Sequence, residues 1–288
     1  MVRLIAIYLP QFHPFPENDA WWGKGFTEWT NVTKAKTLFK GHYQPHLPTD
    51  LGFYDLRLES VRLEQAKLAK ENGIYGFCYY HYWFNGKRLM DEPLSAMLDS
   101  KKPDFPFMYC WANENWSRRW DGEEDKVLIK QEYSEADDVE HINYLCKNVF
   151  SDARYIRVNG KPFFAIYRRG LFPDIERTLR IWRRQAELLG IGELYIGYMQ
   201  GFRLKDDPQT MGFDVAIDFQ PDFYTTIKSR RDSLSDRLMD RLKIKPSAFR
   251  QNRILDYAAY VNSQKKIAVP GYKQYPSVTP MWDNTSRR

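Results

Sequence analysis

Seven short runs of apolar, β-branched and aromatic residues recur along the chain. They are RLIAIYL (Arg3 to Leu9), IYGFCYY (Ile74 to Tyr80), FMYCW (Phe107 to Trp111), PFFAIY (Pro162 to Tyr167), LYIGYM (Leu194 to Met199), DVAIDF (Asp214 to Phe219) and SVTPMW (Ser277 to Trp282). Each has the length and residue types of a strand. Between them lie amphipathic stretches with helical spacing: Leu58 to Asn72, Asp137 to Phe150 and Asp174 to Gly190, the last closing on Gly190 as a helix stop. Alternation of strand and helix predicts a parallel sheet, and near-continuous hydrophobicity of the strands predicts burial on both faces. The expected fold is α/β, a (β/α)8 TIM-barrel-like domain over residues 1–288, incomplete at seven of eight strands. A doubly wound nucleotide-binding sheet is disfavoured, because no strand runs into a glycine-rich phosphate loop.

In a barrel, the site is built at the C-terminal ends of the strands. The unusual polar and aromatic clusters fall there: PQFHP after the first run, HYWFNG after the second, ANENWSRRWDG after the third, QGF after the fifth, QPDFY after the sixth and DNTSRR after the seventh. The long loop from His13 to Asp55 carries Trp21, Trp22, Glu28, Trp29, His42 and His46, and reads as a substrate-binding flap.

Composition sharpens this picture at one point. Aromatic residues make up 16% of the chain, with nine Trp, nineteen Tyr and eighteen Phe. Indole and phenol rings beside Asn, Gln, Asp and Arg suit a sugar, whose C–H face stacks and whose hydroxyls hydrogen-bond. Net charge is +6, and the densest basic stretch, Lys228 to Arg253, is interleaved with acids and reads as a solvated helical face rather than a nucleic-acid patch. No apolar run is long enough to span a membrane, and the N-terminus reads as a first strand rather than a signal peptide. The three cysteines Cys78, Cys110 and Cys146 have neither metal-ligand nor disulfide spacing. These features predict a cytoplasmic protein with no cofactor and no metal; the acidic run Asp121 to Asp125 reads as surface.

The stretch CWANENWSRRWDG places Glu114 between two asparagines and within a fence of tryptophans. A carboxylate at the end of a barrel strand, with amides to hold hydroxyls and indoles to exclude water, is placed as a glycosidic acid or nucleophile would be. The competing reading is an ion pair with Arg118. Glycoside chemistry needs a second carboxylate about 5 to 10 Å away, and Glu28, Asp218 and Asp283 could each supply it. The substrate-binding candidates are Tyr8, Gln11 and His13 after the first strand, Trp22 and Trp29 in the long loop, and Tyr80, His81 and Trp83 after the second strand. Trp111, Asn113, Asn115, Trp116, Arg118 and Arg119 follow from the third, Gln220 from the sixth, and Trp282, Asp283 and Asn284 from the seventh.

Taken together, YLPQFHPFPENDAWWGKGFTEWTNVTKAKTLFKGHYQPHLPTDLGFYDLR, GIYGFCYYHYWFNGKR, CWANENWSRRWDG, RYIRVNGKPFFAIYR, GFDVAIDFQP and WDNTSRR resemble the WbsX-type glycosyltransferase family of bacterial O-antigen and capsule loci. That family is similar to glycoside hydrolase family ninety-nine, which comprises endomannosidase barrels. The resemblance implies carbohydrate chemistry, an oligosaccharide or polysaccharide substrate, and peripheral association with polysaccharide assembly machinery. It also implies a last strand ending in Asn-Glu-Trp-x-Glu-Gly, which this chain lacks, so the domain is expected to be C-terminally truncated relative to the family.

Overall fold

Six of the seven apolar runs become parallel strands of one curled sheet, and its seventh strand forms just upstream of the last run. The computed structural model describes residues 2–117, 127–201, 205–222, 234–244 and 254–287. The strands are β1 (Leu4–Tyr8), β2 (Ile74–Phe84), β3 (Lys87–Leu89), β4 (Phe107–Trp111), β5 (Trp116–Ser117), β6 (Val127–Ile129), β7 (Arg157–Val158), β8 (Lys161–Ile166), β9 (Tyr195–Gln200), β10 (Val215–Asp218) and β11 (Gln274–Tyr275). Hydrogen-bonded neighbours run β1-β2-β4-β8-β9-β10-β11, all parallel. Among the described residues β1 and β11 are the two ends of this path, so the sheet is an open half-barrel. β3 and β7 add antiparallel partners to β2 and β8, and β5 pairs β6 apart from the main sheet.

The helices are α1 (Pro16–Trp22), α2 (Glu28–Lys34), α3 (Glu59–Glu71), α4 (Glu92–Ser100), α5 (Glu135–Leu145), α6 (Ile175–Leu188), α7 (Leu234–Arg241) and α8 (Tyr257–Gln264). Their starts follow local chemistry. Ser134 caps α5 by accepting from Asp137 N, and Asp174 caps α6 by accepting from Arg177 N. Past the end of α6, Gly190 takes a left-handed φ of 75°, which glycine adopts without a Cβ penalty.

Two expectations need correction. The second strand does not stop at Tyr80 but continues to Phe84, because Asn85 and Gly86, both at positive φ, turn it back into β3. The last strand forms at Gln274–Tyr275, upstream of Ser277 to Trp282, which are irregular. The loop from His13 to Asp55 contains α1 and α2.

Successive strand residues face opposite sides of the sheet. On β2, Phe77, Tyr79, His81 and Trp83 face the helices; on β4, Phe107, Tyr109 and Trp111 do so. Trp111, Trp182 and Phe164 are fully buried there, and burying a side chain of that size contributes roughly 1.5–3 kcal/mol. The concave face is packed as tightly. A Cβ on Gly197 would lie 2.9 Å from Val215 Cγ1 and 3.1 Å from the Phe163 ring, so only glycine fits.

Candidate active site at the C-terminal edge of the sheet

Glu114 sits in the loop leaving β4, and its position is set by its neighbours. Asn113 is fully buried; its Nδ2 donates to Tyr133 Oη at 3.0 Å and to Arg168 O at 2.9 Å, while its Oδ1 accepts from Arg168 N at 2.8 Å. On the other side, Asn115 Oδ1 accepts from Gln131 N at 2.7 Å. These two amides therefore clamp the loop to the segments after β6 and β8 instead of waiting for sugar hydroxyls. The clamp brings Arg168 beside Glu114, and the two form an ion pair. Arg118, the partner expected from helical spacing, lies with Arg119 and the run Asp121 to Asp125 outside the described residues.

Tyr80 and Tyr82 lie on the concave side of β2. Tyr82 on β2 lies within electrostatic reach of Glu114 and of Arg287, and burial pushes its pKa above the usual phenol value. Its ring meets Trp116 edge-on at 5.1 Å, and Trp116 also contacts Trp21 at 6.1 Å and Phe15 at 6.4 Å. Tyr80 meets Tyr167 at 5.6 Å, and Tyr167 meets Phe219 at 5.3 Å, which continues the aromatic lining across the sheet.

The second candidate carboxylate enters from the long loop. Glu28 is the first residue of α2, after the Thr27 cap, and its Oε2 accepts from Arg287 Nε at 3.0 Å. Arg287 also donates to Gln11 Oε1, and it is the cation near Tyr82. The order across the concave edge is thus Glu114, Tyr82, Arg287, Glu28. A neighbouring staple holds the same two segments: Asp283 Oδ2 accepts from Gln44 Nε2 at 2.8 Å and lies 3.0 Å from His42 Nε2 and 3.5 Å from His46 Nε2. Burial alone would raise Asp283, but hydrogen bonds from His42, Thr285 and Gln44 hold it at about 2. Asn284 opens the short turn Thr285–Arg287 by accepting from Arg287 N at 3.0 Å, and Trp282 is 54% exposed beside it.

Other sequence candidates are placed elsewhere. Asp218 and Gln220 lie on the helix side of β10: Gln220 Nε2 donates to both Asp218 oxygens at 3.0 and 2.9 Å, and Tyr260 of α8 donates to Gln220 Oε1 at 2.6 Å. Burial raises the Asp218 pKa, but its carboxylate faces away from Glu114. Tyr8 donates to Gln65 Oε1 on α3 at 2.6 Å. His81 and Trp83 are buried under α5, with His81 Nε2 3.1 Å from His141 Nε2 and Trp83 Nε1 donating to Asp137 Oδ1 at 2.8 Å. Trp111 is sealed among His141, Phe172 and Trp182. His81, Trp83 and Trp111 are buried on the helix side rather than lining a cleft, and Tyr8 is half-buried against α3; their strand positions point all four at the helices. His13 is fully buried, and burial lowers its pKa to about 4. Trp22 stacks on Phe26, and Trp29 donates to Tyr54 O at 2.8 Å within the flap.

Sequence reasoning missed Tyr82, Arg168 and Arg287. Alternation along β2 would have separated Tyr80 and Tyr82 from His81 and Trp83. Arg168 follows the fourth strand directly, at a strand end to which no cluster was assigned.

The fold and site define an α/β half-barrel with aromatic rings and ion-paired carboxylates at its C-terminal edge. Residues 4–288 match the family model described as "Glycosyltransferase WbsX", and the chain belongs to that family. Two relatives from Xanthomonas campestris pv. campestris, each described as "Uncharacterized protein WxcX", are 44% and 43% identical over 285 residues. The match covers 99% of this chain and 39% of each relative, so the chain spans well under half the length of these curated relatives. Among solved structures, the GH99 endo-alpha-mannosidase from Bacteroides thetaiotaomicron superposes with a TM-score of 0.50 at 13% identity, covering 95% of this chain and 83% of that one. That likeness is one of fold.

Proposed function

We propose that this chain forms the glycan-binding and reactive face of an enzyme acting on a glycosidic linkage in bacterial surface polysaccharide (O-antigen or capsule) synthesis in the cytoplasm, with Glu114 as its principal carboxylate. The observation that carries this reading is the investment made in placing Glu114. A fully buried Asn113 uses three hydrogen bonds to lock the loop, and the carboxylate emerges next to Arg168, Tyr82 and Trp116. A glycosidic transition state carries positive charge at the anomeric carbon, and a fixed carboxylate stabilises it or attacks it. Glu28, across Tyr82 and Arg287, is the second carboxylate on the same face; Asp218 is not proposed, since its side chain faces α8.

In this reading the Tyr82 phenol hydrogen-bonds a sugar hydroxyl and Trp116 stacks on the pyranose face. The substrate is an oligosaccharide or polysaccharide, met beside the polysaccharide assembly machinery. A second reading, a glycan-binding face without chemistry of its own, draws on the ion pairing of both Glu114 and Glu28. A glycan array probed at high salt, followed by product analysis on the bound glycans with the complete gene product, separates the two. Binding with turnover supports the first reading, binding without turnover supports the second, and no glycan binding removes both.

A further inference from the structure

The charge of this protein is concentrated in one place. Lys228 to Arg253 holds nine Lys and Arg against three Asp, a net +6 that equals the net charge of the whole chain, leaving 34 basic and 34 acidic residues elsewhere. Within this stretch α7 presents leucines at four-residue spacing: Leu234 is 84%, Leu238 58% and Leu242 59% exposed, and Ile244 follows at 66%. Leu242 N donates to Leu238 O at 2.9 Å and Ile244 N to Met239 O at 3.0 Å, so the turn carries on past Arg241 and keeps the three leucines in one row. Arg241 and Lys243 beside them are exposed.

Water-exposed leucines in a row are unfavourable unless something apolar covers them. Phosphate backbones of nucleic acids would satisfy the cations and leave the leucines wet. An anionic bilayer satisfies both: acyl chains take up the apolar row and headgroups neutralise the basic flank, the arrangement of an interfacial amphipathic helix. Among the described residues no helix is long and apolar enough to cross a membrane, so the contact is with one leaflet. We infer that α7 and the turn after it dock this protein on an anionic phospholipid surface, with Leu234, Leu238, Leu242 and Ile244 entering the headgroup boundary and Arg241 and Lys243 facing phosphate.

The test is co-sedimentation of the protein with phosphatidylglycerol-containing vesicles against pure phosphatidylcholine vesicles. Binding should need the anionic lipid and fall at least 10-fold on raising salt to about 0.5 M, where charges are screened within about 4 Å. Leu238→Asp with Leu242→Asp should lower binding to anionic vesicles at least 10-fold while leaving the melting temperature unchanged. Arg241→Glu with Lys243→Glu should do the same, and it guards against a folding artefact in the first variant. Equal binding to both vesicle types, no binding to either, or full retention by both variants would overturn the inference. So would salt-sensitive binding to duplex DNA that the leucine variant retains in full together with its vesicle binding.

Discussion

Glu114 and Arg168, 54 residues apart in sequence, meet as an ion pair because the preceding residue, Asn113, hydrogen-bonds the Arg168 backbone at both N and O. The pair is a quarter to a third exposed, and exposed ion pairs contribute at most about 1 kcal/mol to stability. Arg168→Ala should therefore shift the melting temperature by only a few degrees. If the guanidinium aims the carboxylate at substrate, glycan turnover by the complete gene product should drop at least ~10-fold. Calorimetry and rates on the same preparation check both halves.

Asn113 is the more costly residue to lose for folding. Asn113→Ala removes the side-chain partner of Arg168 N and Arg168 O in a part-buried setting, while Tyr133 Oη keeps its bond to the Asn113 carbonyl, and each unsatisfied group costs about 1–3 kcal/mol. A loss of roughly 2–4 kcal/mol is expected by urea denaturation. Asn115→Ala, which removes one bond to Gln131 N on an exposed residue, should cost about 1 kcal/mol or less. Equal costs for the two variants would contradict the clamp.

On the proposed reading Tyr82 and Trp116 divide glycan recognition between them. Tyr82→Phe keeps the ring against Trp116, so stability should hold, while glycan affinity falls by about 0.5–1.5 kcal/mol for one lost hydrogen bond. Trp116→Ala should cost roughly 1–3 kcal/mol of affinity through lost stacking. Titration calorimetry on a glycan identified by the array reads both values.

Stability should decline in mild acid. Burial depresses His81 to about 3 and lowers His141 with it, and burial brings His13 to about 4. An unfolded histidine titrates near 6.5, so the unfolded state binds more protons below that pH. The stabilisation is present above about 6.5 and is lost progressively as pH falls toward 4. Asp138, raised by burial to about 6, works in the opposite sense: its contribution is fully present below about 4 and is lost as pH rises through 6. With three histidines against it, the net trend from pH 7 to 4 is downward. His141→Gln, which keeps a neutral hydrogen-bonding group facing His81, should flatten that slope in urea melts.

Much of the fold was legible because strands buried on both faces are nearly all apolar, and Phe107 to Trp111 is buried at every position. α3, α5 and α6 were visible in their helical spacing. The short helices α1, α2 and α4 were not, being only seven to nine residues long. The site was legible by location but not by face. Alternation divides Tyr82 from His81, yet which side is concave depends on helices α5 and α6 packing against Trp83 and Trp111. Arg287 reaches Glu28 across 259 residues, a contact that only tertiary structure creates.

The central claim is that Glu114 acts on a sugar. Glu114→Gln keeps the shape of the side chain and a hydrogen-bonding oxygen toward Arg168, so the fold and glycan binding should stay near those of the parent. The decisive measurement is the turnover rate per folded molecule of the complete gene product and its Glu114→Gln variant on the same array-identified glycan. The account predicts a fall of about 10²-fold or more, the usual scale of a lost acid–base or nucleophilic group. An unchanged rate in a protein that folds and binds normally would contradict it.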